Sequence, residues 1–85
     1  DLVVQELRSI SGVEYAAFLK EKELGLIRIS LRAKRKGDVA AIAEKLGGGG
    51  HVKAAGCTMK GTVHDVVNNL MKEIDIQLKA IGTKE

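Results

Sequence analysis

The sequence predicts a small α/β domain, a mixed sheet of about three strands with helices packed on it and one open sheet edge. Three patterns carry that prediction. Leu26 to Ala33 alternates Ile27, Ile29 and Leu31 with Arg28, Ser30 and Arg32, the period of two expected of a strand with one buried face. Val39, Ile42, Ala43 and Leu46 recur at helical spacing, as do Val63, Val66, Val67, Leu70, Met71, Ile74, Leu78 and Ile81 near the end of the chain. At 85 residues there is room for a single core, so residues 1–85 are read as one domain.

Taken in order, Asp1 to about Ile10 sets Leu2, Val3, Leu7 and Ile10 on one stripe and is read as a helix stopped by Ser11-Gly12. Val13 to about Lys20 reads as a strand, with Val13, Tyr15, Ala17 and Leu19 on one face. Glu21 to Gly25 makes a hairpin turn into the strand Leu26–Ala33. Asp38 caps the next helix, which Gly47 stops. Ala55 to about Lys60 gives a third strand. Thr62-Val63-His64-Asp65 resembles a capping box with Asp in place of Glu, opening a helix that runs to Gly82. With three strands the sheet would be thin and one edge open, a hint that something upstream is missing.

Composition narrows the functional classes. Hydrophobic residues make up 45% of the chain and the mean hydropathy is −0.01, which fits a folded globular protein. No apolar run is long enough to span a bilayer, and no basic, apolar leader opens the chain, so no membrane partner is expected. The single cysteine allows no internal disulfide and fits a reducing, cytoplasmic setting. A formal charge of +3 permits an anionic ligand without demanding one. With Tyr15 and Phe18 as the two aromatics, the chain does not resemble a protein that stacks many bases.

The run Gly47-Gly48-Gly49-Gly50-His51 is the feature most in need of a reason. Consecutive glycines lose more backbone freedom on folding than any other residues, so they belong where the backbone must turn or where something must come close. A phosphate fits the second case, cradled by main-chain N–H groups of Gly48, Gly49 and Gly50 with His51 as a donor at the rim. The bland alternative is a linker or a long helix cap. The Asp38–Leu46 helix points its electronegative end at this run, so favourable dipoles would have to come from a short helical turn beginning near Val52. Standard phosphate motifs do not fit. A Walker A loop needs Gly-Lys-Ser/Thr where this chain has Gly56-Cys57-Thr58, and a dinucleotide fingerprint follows a strand, not a helix.

Other candidates have two readings each. Arg28 and Arg32 are either the solvated side of a half-covered sheet or a guanidinium fork for the same anion, with Arg32, at the strand end, better placed. Lys53 is a second phosphate contact or a surface lysine, and Ala54 is a possible close neighbour of a ligand. Lys34-Arg35-Lys36 reads as a solvated loop, His64 as surface or capping, and Cys57 as a small core residue. No cluster of carboxylates, metal-ligand set or triad is visible, so this chain alone is expected neither to catalyse nor to hold a cofactor.

Together, Ile29-Ser30-Leu31-Arg32, the helix opened by Asp38-Val39, and Gly-Gly-Gly-Gly-His followed by Ala54-Ala55-Gly56-Cys57 resemble the C-terminal DHH-associated domain of the DHH phosphoesterases, from about Val13 to Leu70. Within that family the short-oligonucleotide hydrolases are most similar, several of which also dephosphorylate 3′-phosphoadenosine 5′-phosphate. The resemblance implies an N-terminal catalytic domain in cis that holds two manganese ions, with this domain closing over short RNA, DNA or a nucleotide phosphate. It assigns Gly48 to His51 and Arg32 to phosphate and sugar groups. The family's serine after the strand arginine is Ala33 here, which removes one polar contact. Two alternatives are a non-catalytic RNA-binding module like the one that closes alanyl-tRNA synthetases and a dimerisation domain in which the free edge pairs with a second copy.

Overall fold

The computed structural model describes residues 3–10 and 12–82. Strands β1 (Val3–Ile10), β2 (Val13–Glu23) and β3 (Leu26–Lys34) form an antiparallel meander. Helix α1 (Val39–Lys45) then leads to β4 (Gly49–His51), β5 (Ala54–Lys60) and helix α2 (Val63–Gly82). The sheet order is β1-β2-β3-β5-β4 and each of its pairings is antiparallel. The expected layering of helices on a small sheet stands. The sheet is antiparallel where a mixed one was expected, and it gains two strands beyond the main three.

The helix expected over Asp1 to Ile10 is instead β1, with Asp1 and Leu2 outside the described residues. In its register with β2, Val3, Gln5, Leu7 and Ser9 stand opposite one face set, and Val4, Glu6, Arg8 and Ile10 opposite the other. Apolar residues fall in both sets. The period-two signal therefore cancels, and the remaining spacing imitates a helical stripe. The strand beside β2, expected to be missing from the chain, is thus contained in it as β1. The other extra strand, β4, is hidden in the glycine run, because glycine has little strand propensity of its own.

The helices cover one face of the sheet. Val13, Tyr15, Ala17 and Leu19 of β2, Ile27, Ile29, Leu31 and Ala33 of β3, and Ala55 and Cys57 of β5 are buried against it. From above, α1 contributes Val39, Ile42 and Ala43, and α2 contributes Val66, Leu70 and Ile74. The strand and helix stripes read from the sequence are those that meet here. Asp38 caps α1 by accepting from the Ala41 N–H at 3.1 Å, and the Thr62 hydroxyl accepts from the Asp65 N–H at 3.1 Å at the start of α2.

One polar latch crosses this core. The Gln77 side chain on α2 accepts from the Asp38 N–H at 2.9 Å, donates to the Asp38 carbonyl at 2.8 Å, and accepts from the Tyr15 hydroxyl. Burial, and then the nearby Asp38 carboxylate, hold the Tyr15 phenol above its ordinary value of 10.0, so it stays protonated as the donor. The latch fixes where α1 begins, and with it the loop that follows. Gln77→Ala is expected to lower unfolding stability by about 2–3 kcal/mol, at roughly 1 kcal/mol per bond lost. A urea midpoint equal to the parent's would exclude the latch as a stabilising element.

Candidate functional site

The glycine run resolves into four different jobs. Gly47 and Gly48 close α1 with a Schellman motif, the Gly47 N–H donating to Glu44 at 3.2 Å and the Gly48 N–H to Ala43 at 2.7 Å. Gly47 takes the positive φ, +91°, that this cap requires. Gly48 is demanded by crowding, since a Cβ there would lie 2.1 Å from the Gly56 carbonyl oxygen. Gly50, with φ +146°, is also crowded, by Ala55, whose Cα would lie 2.6 Å away. Gly49 differs. A Cβ there meets nothing within 4 Å, and its φ lies outside the left-handed region. The fold thus accounts for Gly47, Gly48 and Gly50, while the bareness of Gly49 is left for whatever approaches from outside.

Val52-Lys53 is the turn of the β4–β5 hairpin, with His51 paired to Ala54. No helical turn starts at Val52, so the dipole expected there is absent and any anion must rely on side chains and strand amides. Neither turn residue takes a positive φ, the conformation that tight hairpins usually favour. The turn is lashed down from outside instead. Val52 accepts from the Val39 N–H at 2.9 Å, Lys53 accepts from the Ala33 N–H at 3.1 Å, and the Lys53 ammonium donates to the carbonyls of Arg35 and of Gly37, the latter at 3.0 Å. Lys53 is therefore tied to the loop before α1, a role invisible in the sequence because its partners lie on another element.

Among the described residues no helix or strand covers the face of the sheet away from the helices, and register sorts its residues into cross-strand rows. Directly opposed residues share a face. One row runs Ala16, Arg32, Ala54, His51 from β2 to β4. The next runs Phe18, Ser30, Gly56, Gly49, and the third Lys20, Arg28, Thr58. Arg32, His51, Gly49 and Ala54, nominated separately from the sequence, thus come together on one surface, with Arg28 one row beyond. Gly50 belongs to the opposite phase of β4 and Gly48 precedes the strand, so neither falls in these rows.

Arg28 donates to the Thr58 hydroxyl at 3.4 Å, and its guanidinium leans over Gly56, 3.0 Å from where a Cβ would stand. Arg32 donates to the Leu31 carbonyl at 2.8 Å and borders a shallow depression of about 230 Å³ lined also by Glu14, Ala16 and Lys34. There the Glu14 carboxylate offsets one of the two cationic side chains, Arg32 and Lys34. Among the described residues in register with Arg32 toward β4, Ala54 and His51, there is no carboxylate. Lys20, Lys34 and Lys60 stand on the same face, which gives it a cationic balance suited to a polyanion.

The remaining candidates sit elsewhere. Cys57 is buried on the core face, and burial raises its thiol pKa despite the opposing Arg28 charge, which leaves it protonated and unreactive at neutral pH. His64 is exposed on α2 beside Asn68. Among the described residues, no three His, Cys, Asp or Glu side chains gather to hold a metal ion, and no helix is long and apolar enough to cross a membrane. Phe18 is the face residue that motif reading passes over. Its signal lies in phase, because an aromatic stands at the polar phase of β2 between buried Ala17 and Leu19.

A family model described as the DHHA1 domain matches residues 1–80. Among characterised proteins, the bifunctional oligoribonuclease and PAP phosphatase NrnA of Thermus thermophilus is 44% identical over 55 residues, covering 65% of this chain and 17% of that protein. The chain thus spans less than a fifth of that relative's length.

Proposed function

The chain belongs to the DHHA1 domain family, and on that premise we propose that it is the substrate-holding domain of a cytoplasmic, manganese-dependent phosphoesterase that hydrolyses short oligonucleotides or nucleotide bisphosphates. The likeness to an oligoribonuclease and PAP phosphatase supports this substrate class. The observation that carries it is the convergence of Gly49, His51 and Arg32 on the open sheet face, at positions where the fold does not require glycine at 49. In this reading manganese would be held by a catalytic domain N-terminal to this one, where it would supply the activation of the nucleophile.

In this reading the residues of this chain hold and orient. His51 and Arg32 flank Ala54 on one row, so a phosphate seated there receives an imidazole N–H from one side and a guanidinium from the other. The small side chain of Ala54 and the bare Gly49 let it approach the strands closely. Holding the phosphate fixes the distance between the scissile bond and the catalytic domain, which lowers the entropic part of the barrier.

Amide NMR of this chain titrated with 3′-phosphoadenosine 5′-phosphate tests the site. Shifts are expected at Gly49, His51 and Arg32. Arg32→Ala should weaken binding about tenfold, the usual scale for a charge-assisted contact, with the thermal midpoint little changed because Arg32 is exposed. Silence at all three residues, or equal affinity in the variant, would overturn the assignment. A response to tRNA in place of the bisphosphate would favour the RNA-binding-module reading.

A further inference from the structure

We infer that Phe18 is a stacking platform for a nucleobase, which gives the open face a second subsite that engages oligonucleotides but not single nucleotides. The inference rests on the phosphate site proposed above. Phe18 is 40% exposed, on a strand whose neighbouring residues Ala17 and Leu19 are each 1% exposed. An aromatic ring held half out of water by a rigid strand loses little freedom on receiving a base, and any base offers it a flat apolar surface.

Its place on the sheet gives the ring this meaning. Phe18 begins the row that continues through Ser30 and Gly56 to Gly49. After the ring, this row is a lane of small side chains crossing the sheet. Arg28 leans into one side of it over Gly56, and Arg32 and His51 stand along the other. A sugar–phosphate chain can lie close in such a lane, with cations on both sides and no carboxylate in the lane itself. Neighbouring strands are about 4.8 Å apart, so Phe18 lies roughly 14 Å, three strand spacings, from Gly49. A single nucleotide anchored by its phosphate at His51 occupies the Gly49 end. A strand of several nucleotides reaches the ring, and Arg28 lies between the two ends for an intervening phosphate.

The test compares two ligands on this chain by NMR, 3′-phosphoadenosine 5′-phosphate and a 5′-phosphorylated RNA tetranucleotide. Phe18→Leu is expected to weaken the tetranucleotide about tenfold, within the range seen for loss of one base–aromatic stack. The bisphosphate should bind as before, and Phe18→Trp should keep the parent's affinity for both. The Phe18 ring protons should move upfield with the tetranucleotide alone. Equal tetranucleotide affinity in Phe18→Leu, or equal weakening of both ligands, overturns the inference. So does a Phe18→Leu variant that loses self-association in sedimentation without losing RNA, which would make the ring a protein contact. Failure of the phosphate site looks different: Gly49 and His51 stay silent with both ligands. A ring that still responds to the tetranucleotide then keeps the stacking subsite and moves the phosphate elsewhere.

Discussion

His51→Ala, in an enzyme that carries this domain beside its catalytic half, is expected to lower kcat by about 10²–10³-fold, or about 3–4 kcal/mol of transition-state stabilisation, the scale known for a preorganised donor aimed at developing charge. The size follows from how His51 is held. It is the last residue of β4, paired to Ala54, and the next two residues are tied to α1, β3 and the loop before α1. The imidazole therefore starts from a nearly fixed backbone and needs little ordering as charge builds on phosphate. The side chain is exposed, so its removal leaves no cavity and the fold should persist. Steady-state kinetics on a nucleotide bisphosphate separates the outcomes. A fall in kcat at a near-constant KM supports a role in the transition state. Unchanged kinetics would remove His51 from the site, and a rise in KM alone would make it a ground-state contact.

Gly48→Ala should lower stability by about 3 kcal/mol, at the upper end of ordinary overpacking. The added Cβ would lie 2.1 Å from the Gly56 carbonyl oxygen and 2.8 Å from the Cys57 Cα. Both obstacles are backbone, so no rotamer change relieves the clash. Relief requires β4 to lift from β5, carrying His51 out of line with Ala54 and Arg32. Chemical denaturation should show the loss, and amide exchange should accelerate first in β4 and in Ala54 to Gly56. The control is Gly49→Ala one residue later. Nothing meets a Cβ there, so this variant should fold at least as stably as the parent, since alanine narrows the unfolded ensemble. It should nonetheless bind the bisphosphate more weakly, because the new methyl stands on the ligand's side. If both variants behave alike, the division between structural and ligand-facing glycines is wrong.

These contrasts show what the sequence could and could not convey. β2, β3, α1 and α2 were legible because one face of each is buried, which writes a clean period into the residues, and the caps at Asp38 and Thr62 sit where local chemistry puts them. β1 was misread because its apolar residues fall in both face sets. The candidate site was legible as a set of residue types, since Gly-rich loop, histidine and arginine each suggest an anion. Its geometry was not. That a Cβ at Gly48 or Gly50 would run into β5 while one at Gly49 would meet nothing depends on β4 lying against β5, and nothing in four glycines announces a strand. Lys53 and Gln77 were equally opaque, because their roles are hydrogen bonds to elements 16 and 39 residues away in sequence.

The alternation of β3 ties recognition to folding more tightly than either alone requires. Ile27, Ile29 and Leu31 seal the interior while Arg28, Ser30 and Arg32, their immediate neighbours, face the ligand. A slip of one residue against β2 or β5 would exchange the two sets, burying guanidiniums and baring isoleucines. Such a misaligned strand cannot linger as a folded domain with a faulty surface, since the same error destroys the interior that would keep it folded. The interior thus proofreads the binding surface: molecules that fold at all display the arginines in the right frame, and misframed ones are discarded as unfolded chains.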